Sequence, residues 1–487
     1  MKNKTETPYN IDKNNNERAV AIEILLEITE QGAYNNIALS RTLIQKTDWQ
    51  PYKKAFVTEL VNGTLRNLIL IDNIIERFST NSTNAVVSTS TSATSATPTK
   101  TAKKKPPKTK PFIRELLRTA IYQILFMDKV PHSAAVNEAV NLAKKQGFAS
   151  LSGFINGILR NIVRNHATLL AFYDNQKPFS KYLALRYSLP PWLAERLIAQ
   201  FGEPTAEEFC KKTHNPPPVA ICTNLLKTDR TTLKIALEQQ GVVCEEVPNN
   251  ETCLNVRKTA QIGKIPQFKQ GHFFVMDSDA YDVVYSLVDD IRRVQNNANS
   301  ENHENHENHE NSAKLPQILD LCAAPGGKSF ALAGLLQNTG NITACDIYPH
   351  KVELIAKTSA RLGTTCITPT ANDALKFNAD WQNKFDIVLL DAPCSGLATI
   401  RRRPDIKYTK TEKDVQKLAQ IQRKMLTNAA KYVKPGGTLL YSTCTITPEE
   451  NGDNLQWFLE EFPFENTFVR QADLDFGFYL SKSLRKD

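Results

Sequence analysis

No CxxC pair occurs among the nine cysteines, which stand at 210, 222, 244, 253, 322, 345, 366, 394 and 444. That removes the usual spacing of a structural zinc site. An odd cysteine count in a chain of 487 residues argues against a disulfide scaffold and suits a reducing, cytoplasmic setting. No uncharged apolar run reaches 18 residues, so no membrane-spanning helix is expected. The first sixteen residues, MKNKTETPYNIDKNNN, lack the apolar core of a secretory signal and the arginine-rich character of a transit peptide. Charge of one sign is not in large excess either. Sixty Lys and Arg face 51 Asp and Glu, a net of +9, which permits an anionic partner without specifying one.

Two low-complexity tracts divide what is present. Residues 79–110 pass from Ser, Thr and Ala into Lys and Pro, and the stretch 100–110 holds six lysines and no acid. Such a tract buries too little apolar surface to offset its ordering entropy, so it reads as a solvated insert. The second tract, 291–314, contains ENHENHENHEN, in which His303, His306 and His309 recur every third residue. It reads as surface filler, and no metal site is expected from it.

Three domains are expected around these inserts. Over 14–168, apolar residues recur near the helical period: Ala19, Ile22, Leu25, Leu26 and Ile28; Phe56, Leu60, Val61, Leu65, Leu68 and Ile71; and three further sets up to Ile162. Several amphipathic helices with short links predict an all-α bundle. Residues 180–290 are mixed and punctuated by proline. VAICTN reads as a strand, TDRTTLKIALEQQG as a helix and GVVCEEVP as a strand, which together make a small α/β subdomain. Over 315–487 short apolar runs alternate with helical stretches, the pattern of a mostly parallel sheet covered on both faces.

The chemistry concentrates in that last part. ILDLCAAPGGKS closes the first strand at Asp320 and turns through Pro325, Gly326 and Gly327 into a helix near Lys328. The loop is neither GxGxxG nor GxxxxGK[ST], but its glycines allow a ligand close to the backbone. Asp346 ends the second strand, Asp373 follows the third and Asp391 ends the fourth. Ligands of open α/β sheets bind at these carboxyl ends, so four acids converge on one cleft. An acid at Asp346 could accept both hydroxyls of a ribose.

Cys394, in DAPCSG, follows the fourth strand, and Cys444, in STCT, follows the fifth. Most buried cysteines are small hydrophobes. These two sit in polar turns on the ligand-bearing edge, where a thiolate can serve as a nucleophile. One reaction needs such a set. Cytosine C5 is a poor nucleophile until a thiolate adds to C6 and raises the electron density at C5. C5 can then take a methyl from a sulfonium donor; a base must remove the C5 proton so that the thiolate is eliminated, and a hydrogen-bond donor must offset charge on the ring. Cys444, Cys394, Asp391 and Lys328 could supply these groups.

DLCAAPGGK, DAPCSG and STCT together resemble the donor loop and two cysteine motifs of the NOL/NOP/Sun type RNA cytosine-5 methyltransferases. VPHSAAVNEAVNLAKK and SGFINGILRNIVR resemble a NusB-like RNA-binding bundle. The combination resembles the 16S ribosomal RNA cytosine-5 methyltransferase B family over nearly all of the chain outside the inserts. The resemblance implies a multidomain protein: a NusB-like bundle, a small α/β RNA-binding subdomain and a Rossmann-like catalytic domain dependent on S-adenosylmethionine. It implies Cys444 as nucleophile, Cys394 in product release, and Asp391 and Lys328 at the target cytosine. Donor contacts would come from Cys322, Ala323, Ala324, Pro325, Gly326, Gly327, Lys328, Asp346, Asp373 and Asp391. The implied partner is 16S rRNA, free or in a partly assembled small subunit, with no membrane and no obligate protein partner. The implied target is cytidine 967 in conventional rRNA numbering; another rRNA or tRNA cytidine is the alternative. Arg160 and Arg164, and the run Arg401, Arg402, Arg403 with Lys407, are expected to meet RNA phosphates. Cys222 departs from the family, which has an arginine there, and VMDSDA and FGFYLSKSL are altered forms of family segments.

Overall fold

A computed structural model describes residues 16–80, 110–258, 262–300, 315–473 and 476–486. Most of both low-complexity inserts, the His repeat included, lies outside the described residues. The chain forms two compact units, 1–215 with 403–409, and 216–402 with 410–487.

The first unit is helical. Its elements are α1 (Glu17–Gln31), α2 (Asn35–Gln45), α3 (Pro51–Arg66), α4 (Leu68–Thr80), α5 (Pro111–Phe126), α6 (His132–Lys145), α7 (Ser152–Asp174), α8 (Phe179–Arg186) and α9 (Pro191–His214). Local chemistry sets several of the ends. Asn16 caps α1 by accepting from Ala19 N at 3.0 Å, and Gly32 ends the helix in the left-handed region at φ 71°. The apolar period running from Phe56 to Ile71 is broken at Asn67, which separates α3 from α4. At Gly202 (φ 77°, ψ 162°) α9 is kinked where the sequence predicts its end. The apolar stripes of α1, α3, α5, α6 and α7 meet in one core, with Leu25, Leu60, Leu117 and Leu159 fully buried. A buried ion cluster ties three of the helices together. Arg118 on α5 donates to Asp72 of α4 at 2.7 Å and to Glu115, which also accepts from Thr29 of α1 at 3.0 Å.

The segment 403–409 belongs to this unit, and in it Lys407 is not part of a solvent-facing basic surface. Lys407 is 1% exposed, and its Nζ donates to the carbonyls of Arg66 (2.9 Å) and Tyr187 (3.0 Å). Burial without a carboxylate partner drives its pKa down to about 7. Tyr408 donates to the Leu65 carbonyl at 2.8 Å. A lysine in a basic run reads as solvated, but this one satisfies carbonyls at the ends of helices.

The second unit holds two sheets. The smaller contains β1 (Val219–Thr223), β2 (Val243–Glu246), β3 (Cys253–Lys258) and β4 (Phe273–Val275), in the order β2-β3-β1-β4 and antiparallel throughout. Helices α10 (Arg230–Glu238) and α11 (Pro266–Lys269) accompany it, and α12 (Ser278–Tyr285) and α13 (Val288–Ser300) follow. Cys222 and Cys253 face each other across β1 and β3 and form a disulfide. This departs from the expectation drawn from cysteine number. Strand register places the two side by side, although 31 residues separate them.

The larger sheet has seven strands in the order β10-β11-β9-β8-β5-β6-β7. In chain order the elements are β5 (Gln317–Asp320), α14 (Gly327–Leu335), β6 (Asn341–Asp346), α15 (Pro349–Leu362), β7 (Ile367–Ala371) and β8 (Phe385–Asp391). They are followed by α16 (Ile406–Thr409, in the first unit), α17 (Glu412–Tyr432), β9 (Val433–Thr443), α18 (Gly452–Glu461), β10 (Phe464–Arg470) and β11 (Tyr479–Arg485). Strands β5 to β9 run parallel, and β10 and β11 are antiparallel additions. The near-continuous apolar run of β8 fits a central strand buried on both faces. Strand order reverses between β5 and β8, which puts the topological switch point beside Asp320 and Asp391. Cys222, Cys253, Phe274 and Met276 pack in one core with Ala323 and Phe330, so the small sheet supports the glycine loop directly.

Candidate functional site

The glycine loop follows β5. Leu321 N donates to Leu389 O of β8 (3.0 Å) and Ala323 N to Cys345 O of β6 (2.7 Å), so the loop starts pinned to both neighbouring strands. Cys322 and Ala324 are half-buried and Pro325 is exposed. Gly326 has φ 106°, and a Cβ there would lie 2.4 Å from the Phe330 ring. Only glycine fits on both counts. Gly327 starts α14 against Met276.

All four strand-end acids lie on this carboxyl edge. Asp346 accepts from Tyr348 N at 2.9 Å and from Lys351 at 3.3 Å. Asp373 turns back on its own loop, accepting from Leu375 N at 3.0 Å. Asp320 is fully buried. One carboxylate oxygen accepts from Ser329 Oγ at 2.6 Å, and the other has no partner. Burial pushes its pKa up to about 7. Asn372, beside Asp373, likewise has a buried side-chain amide without a partner. An unmatched acceptor and an unmatched donor at the ends of β5 and β7 fit a ligand that carries positive charge and hydrogen-bonding ring atoms. Asn372 is not singled out by any motif.

Lys328 is buried, with Nζ 2.6 Å from Asp391 and 4.8 Å from the centre of the Phe478 ring. Asp391 uses its other oxygen to accept from Ser442 Oγ at 2.8 Å. The acid at the end of β8 is thus fixed from α14 and from β9. Phe478 lies in the altered C-terminal segment, and its place over Lys328 is set by tertiary folding alone.

Cys394 and Cys444 come together. Their sulfurs are 3.2 Å apart as free thiols, and Cys444 N points at Cys394 Sγ at 3.3 Å. The hydrogen bond to Cys444, then burial, then the negative charge of Glu450 hold the Cys394 thiol well above its ordinary range. Both cysteines are partly buried, whereas Cys210, Cys244, Cys345 and Cys366 are buried.

The expected arginine run is engaged within the protein. Arg402 pairs with Asp277 at 2.6 Å and Arg403 reaches Asp405 at 3.8 Å. Arg160 and Arg164 are placed differently. They line a groove of about 470 Å³ between α6 and α7, with His132, Ser133 and Asn137. Both are exposed, and among the described residues neither pairs with a carboxylate; Arg160 Nε donates to Asn156 at 2.9 Å. Also among the described residues, no group of three or more His, Cys, Asp or Glu is placed to hold a metal, and no helix is long and apolar enough to cross a membrane.

Comparison with known proteins agrees with this arrangement. Residues 306–473 match the family described as 16S rRNA methyltransferase RsmB/F, residues 15–94 and 94–164 match the NusB family, and residues 189–263 match the ferredoxin-like domain of RsmF/B-like methyltransferases. The chain is 33% identical over 447 residues to the probable ribosomal RNA small subunit methyltransferase B of Bacillus subtilis, covering 92% of this chain and 88% of that one. Its Shewanella oneidensis relative, ribosomal RNA small subunit methyltransferase B, is 29% identical over 94% of this chain and 93% of its own. A crystal structure titled PH0851 shares the fold with a TM-score of 0.71 at 22% identity, over 97% of this chain and 99% of that chain. The chain belongs to the ribosomal RNA small subunit methyltransferase B family and is an rRNA methyltransferase dependent on S-adenosylmethionine.

Proposed function

We propose that the protein methylates C5 of a cytidine in 16S rRNA, cytidine 967 in conventional numbering, in the cytoplasm through a covalent cysteine adduct. The observation that carries this reading is the pair of free sulfurs 3.2 Å apart beside the Lys328–Asp391 pair. S-adenosylmethionine supplies the methyl group on a cationic sulfonium. The loop 322–328, Asp346, Asp373 and Asp391 hold and orient it. The Cys444 thiolate forms a bond to C6 of the cytosine, and the C5=C6 electron pair moves to C5, which takes the methyl as the donor's sulfur–methyl bond breaks and leaves a neutral thioether. The C5 proton passes to solvent, and Cys394 assists product release as a thiol that donates a hydrogen bond to the departing Cys444 sulfur. The C5=C6 bond then re-forms, the S–C6 bond breaks and Cys444 leaves as thiolate. Lys328 and Asp391 contact the ring and offset the charge that develops on it.

Methylation of 16S rRNA with labelled donor, followed by mapping of the modified base, tests the assignment. Label on a tRNA or on another rRNA cytidine overturns the target. In calorimetry, Asp346→Ala is expected to weaken donor binding about tenfold or more; unchanged binding removes Asp346 from the donor site.

The α6–α7 groove is the surface that meets RNA, because its two arginines carry charge that nothing nearby compensates. Arg160→Ala with Arg164→Ala is expected to weaken RNA binding and to flatten the slope of log affinity against log salt by about 1.5, at about 0.7 per phosphate on a single strand. An unchanged slope rules the groove out. Substitution suits this test better than truncation, because removing the helices would uncover Lys407 and Tyr408.

A further inference from the structure

One carboxylate outside the expected site joins the two cysteine turns. Glu450 is fully buried at the end of a short 3₁₀ turn, Pro448–Glu450, after β9. One of its oxygens accepts from Ser395 N at 2.8 Å and from Gln422 Nε2 at 3.0 Å. The other accepts from Ser395 Oγ and, at 2.7 Å, from Thr447 Oγ1. Ser395 follows Cys394 directly, and its hydroxyl is also 2.7 Å from that of Thr445, which follows Cys444. Gln422 adds a bond to Pro393 O at 3.0 Å, on the other side of Cys394. The next residue, Asn451, holds the Cys444 turn by accepting from Thr443 Oγ1 (2.6 Å) and donating to Thr445 O (2.9 Å).

A carboxylate has about four acceptor sites, and here four neutral donors fill them. No lysine or arginine pairs with Glu450 among the described residues, so these neutral donors alone hold the carboxyl group. Only a network this complete holds such a group in place.

We propose that Glu450 is a positioning residue that fastens the Cys394 turn to the Cys444 turn and so assigns the two thiols unequal roles. The fastening sets the short sulfur–sulfur distance. The charge of Glu450 disfavours a second anion at Cys394, which keeps its proton and can donate it toward Cys444 Sγ. Cys444 is then the sulfur left to act as thiolate. This inference rests on the covalent reading above, and it explains why two adjacent cysteines do not compete for one role.

Its test uses the full-length protein with limiting iodoacetamide and peptide mass spectrometry. In wild type, Cys444 should be alkylated well before Cys394. Glu450→Gln should raise the Cys394 rate at least tenfold relative to Cys444 and lower kcat about 30-fold or more, with donor affinity and the KM for donor unchanged. Glu450→Asp, which retains the charge, should restore the alkylation order. An unchanged order and kcat in Glu450→Gln overturns the proposal. So does a loss of kcat in all variants in proportion to lost thermal stability, with the order unmoved. If Glu450→Gln no longer binds donor, Ser395→Ala takes its place, since it removes only the hydroxyl tether. It should slow methylation, and an unaffected rate overturns the fastening. Alkylation requires no RNA, so failure of both Cys394→Ala and Cys444→Ala to trap RNA refutes the covalent reading separately.

Discussion

Cys444→Ala is expected to abolish methylation, a loss on the order of 10⁴-fold or more, as for other enzymic nucleophiles. No adduct with RNA should form. The reason lies in the ring: without a sulfur at C6, C5 keeps its low nucleophilicity, and a well-held donor cannot compensate. No other thiol is placed to substitute. Cys394 is the nearest sulfur, at 3.2 Å; its hydrogen bond to Cys444, the main cause of its raised pKa, is lost in this variant, but burial and the charge of Glu450 still favour the thiol. Cys394→Ala is expected to behave oppositely. Attack and methyl transfer proceed, the Cys444 sulfur is expelled slowly, and protein stays bound to RNA. A denaturing gel with RNA and donor reads both variants at once, as an absent band for Cys444→Ala and an accumulating one for Cys394→Ala. A band with Cys444→Ala and none with Cys394→Ala would reverse the roles. An active Cys444→Ala enzyme would falsify the covalent route.

The residues legible in the sequence share one property: their chemistry is local. Gly326 and Gly327 announce a turn because the next residues start a helix, and Asp320, Asp346 and Asp391 announce an edge because each ends an apolar run. Alternation of strand and helix is enough to place that edge on a parallel sheet. Residues whose role depends on distant partners were not legible. Glu450 is visible in TPEEN just after the second cysteine motif, but its role is not, because its main partner Ser395 lies 55 residues away. Phe478 reaches Lys328 only because β11 is added beside β9. Cys222 and Cys253 meet through strand register. Lys407 shows the converse failure. The sequence reads IRRRPDIK as a basic run facing RNA phosphates, but tertiary packing buries one lysine among carbonyls and pairs two of the arginines with Asp277 and Asp405. Helix breaks follow the same division. Gly202 is visible as a stop, whereas the break at Asn67 falls inside an unbroken apolar period.

Asp320→Asn is expected to separate stability from donor binding. In the protein without donor, Asp320 is fully buried, one oxygen is satisfied by Ser329 and the other by nothing. Its pKa rises from 3.8 to about 7 because burial penalises the anion. The folded state therefore binds this proton more tightly than the unfolded chain does. The resulting stabilisation is complete below 3.8 and is lost as pH rises through about 7. At pH 8 wild type carries a poorly compensated buried anion, and asparagine removes it at nearly the same shape. The variant without donor should melt several degrees higher at pH 8, at about 2–4 °C per kcal/mol for a unit of this size, and the two should converge near pH 4. Donor binding should move the other way. A cationic donor bound beside Asp320 should offset its charge, so losing that charge should weaken binding about 30-fold or more, as for truncation of a buried charge pair. Thermal melts at pH 4 and pH 8 with donor calorimetry at pH 8 decide the matter. A variant that melts lower than wild type at pH 8 makes Asp320 a structural acid, and one that binds donor as tightly as wild type removes it from the donor site.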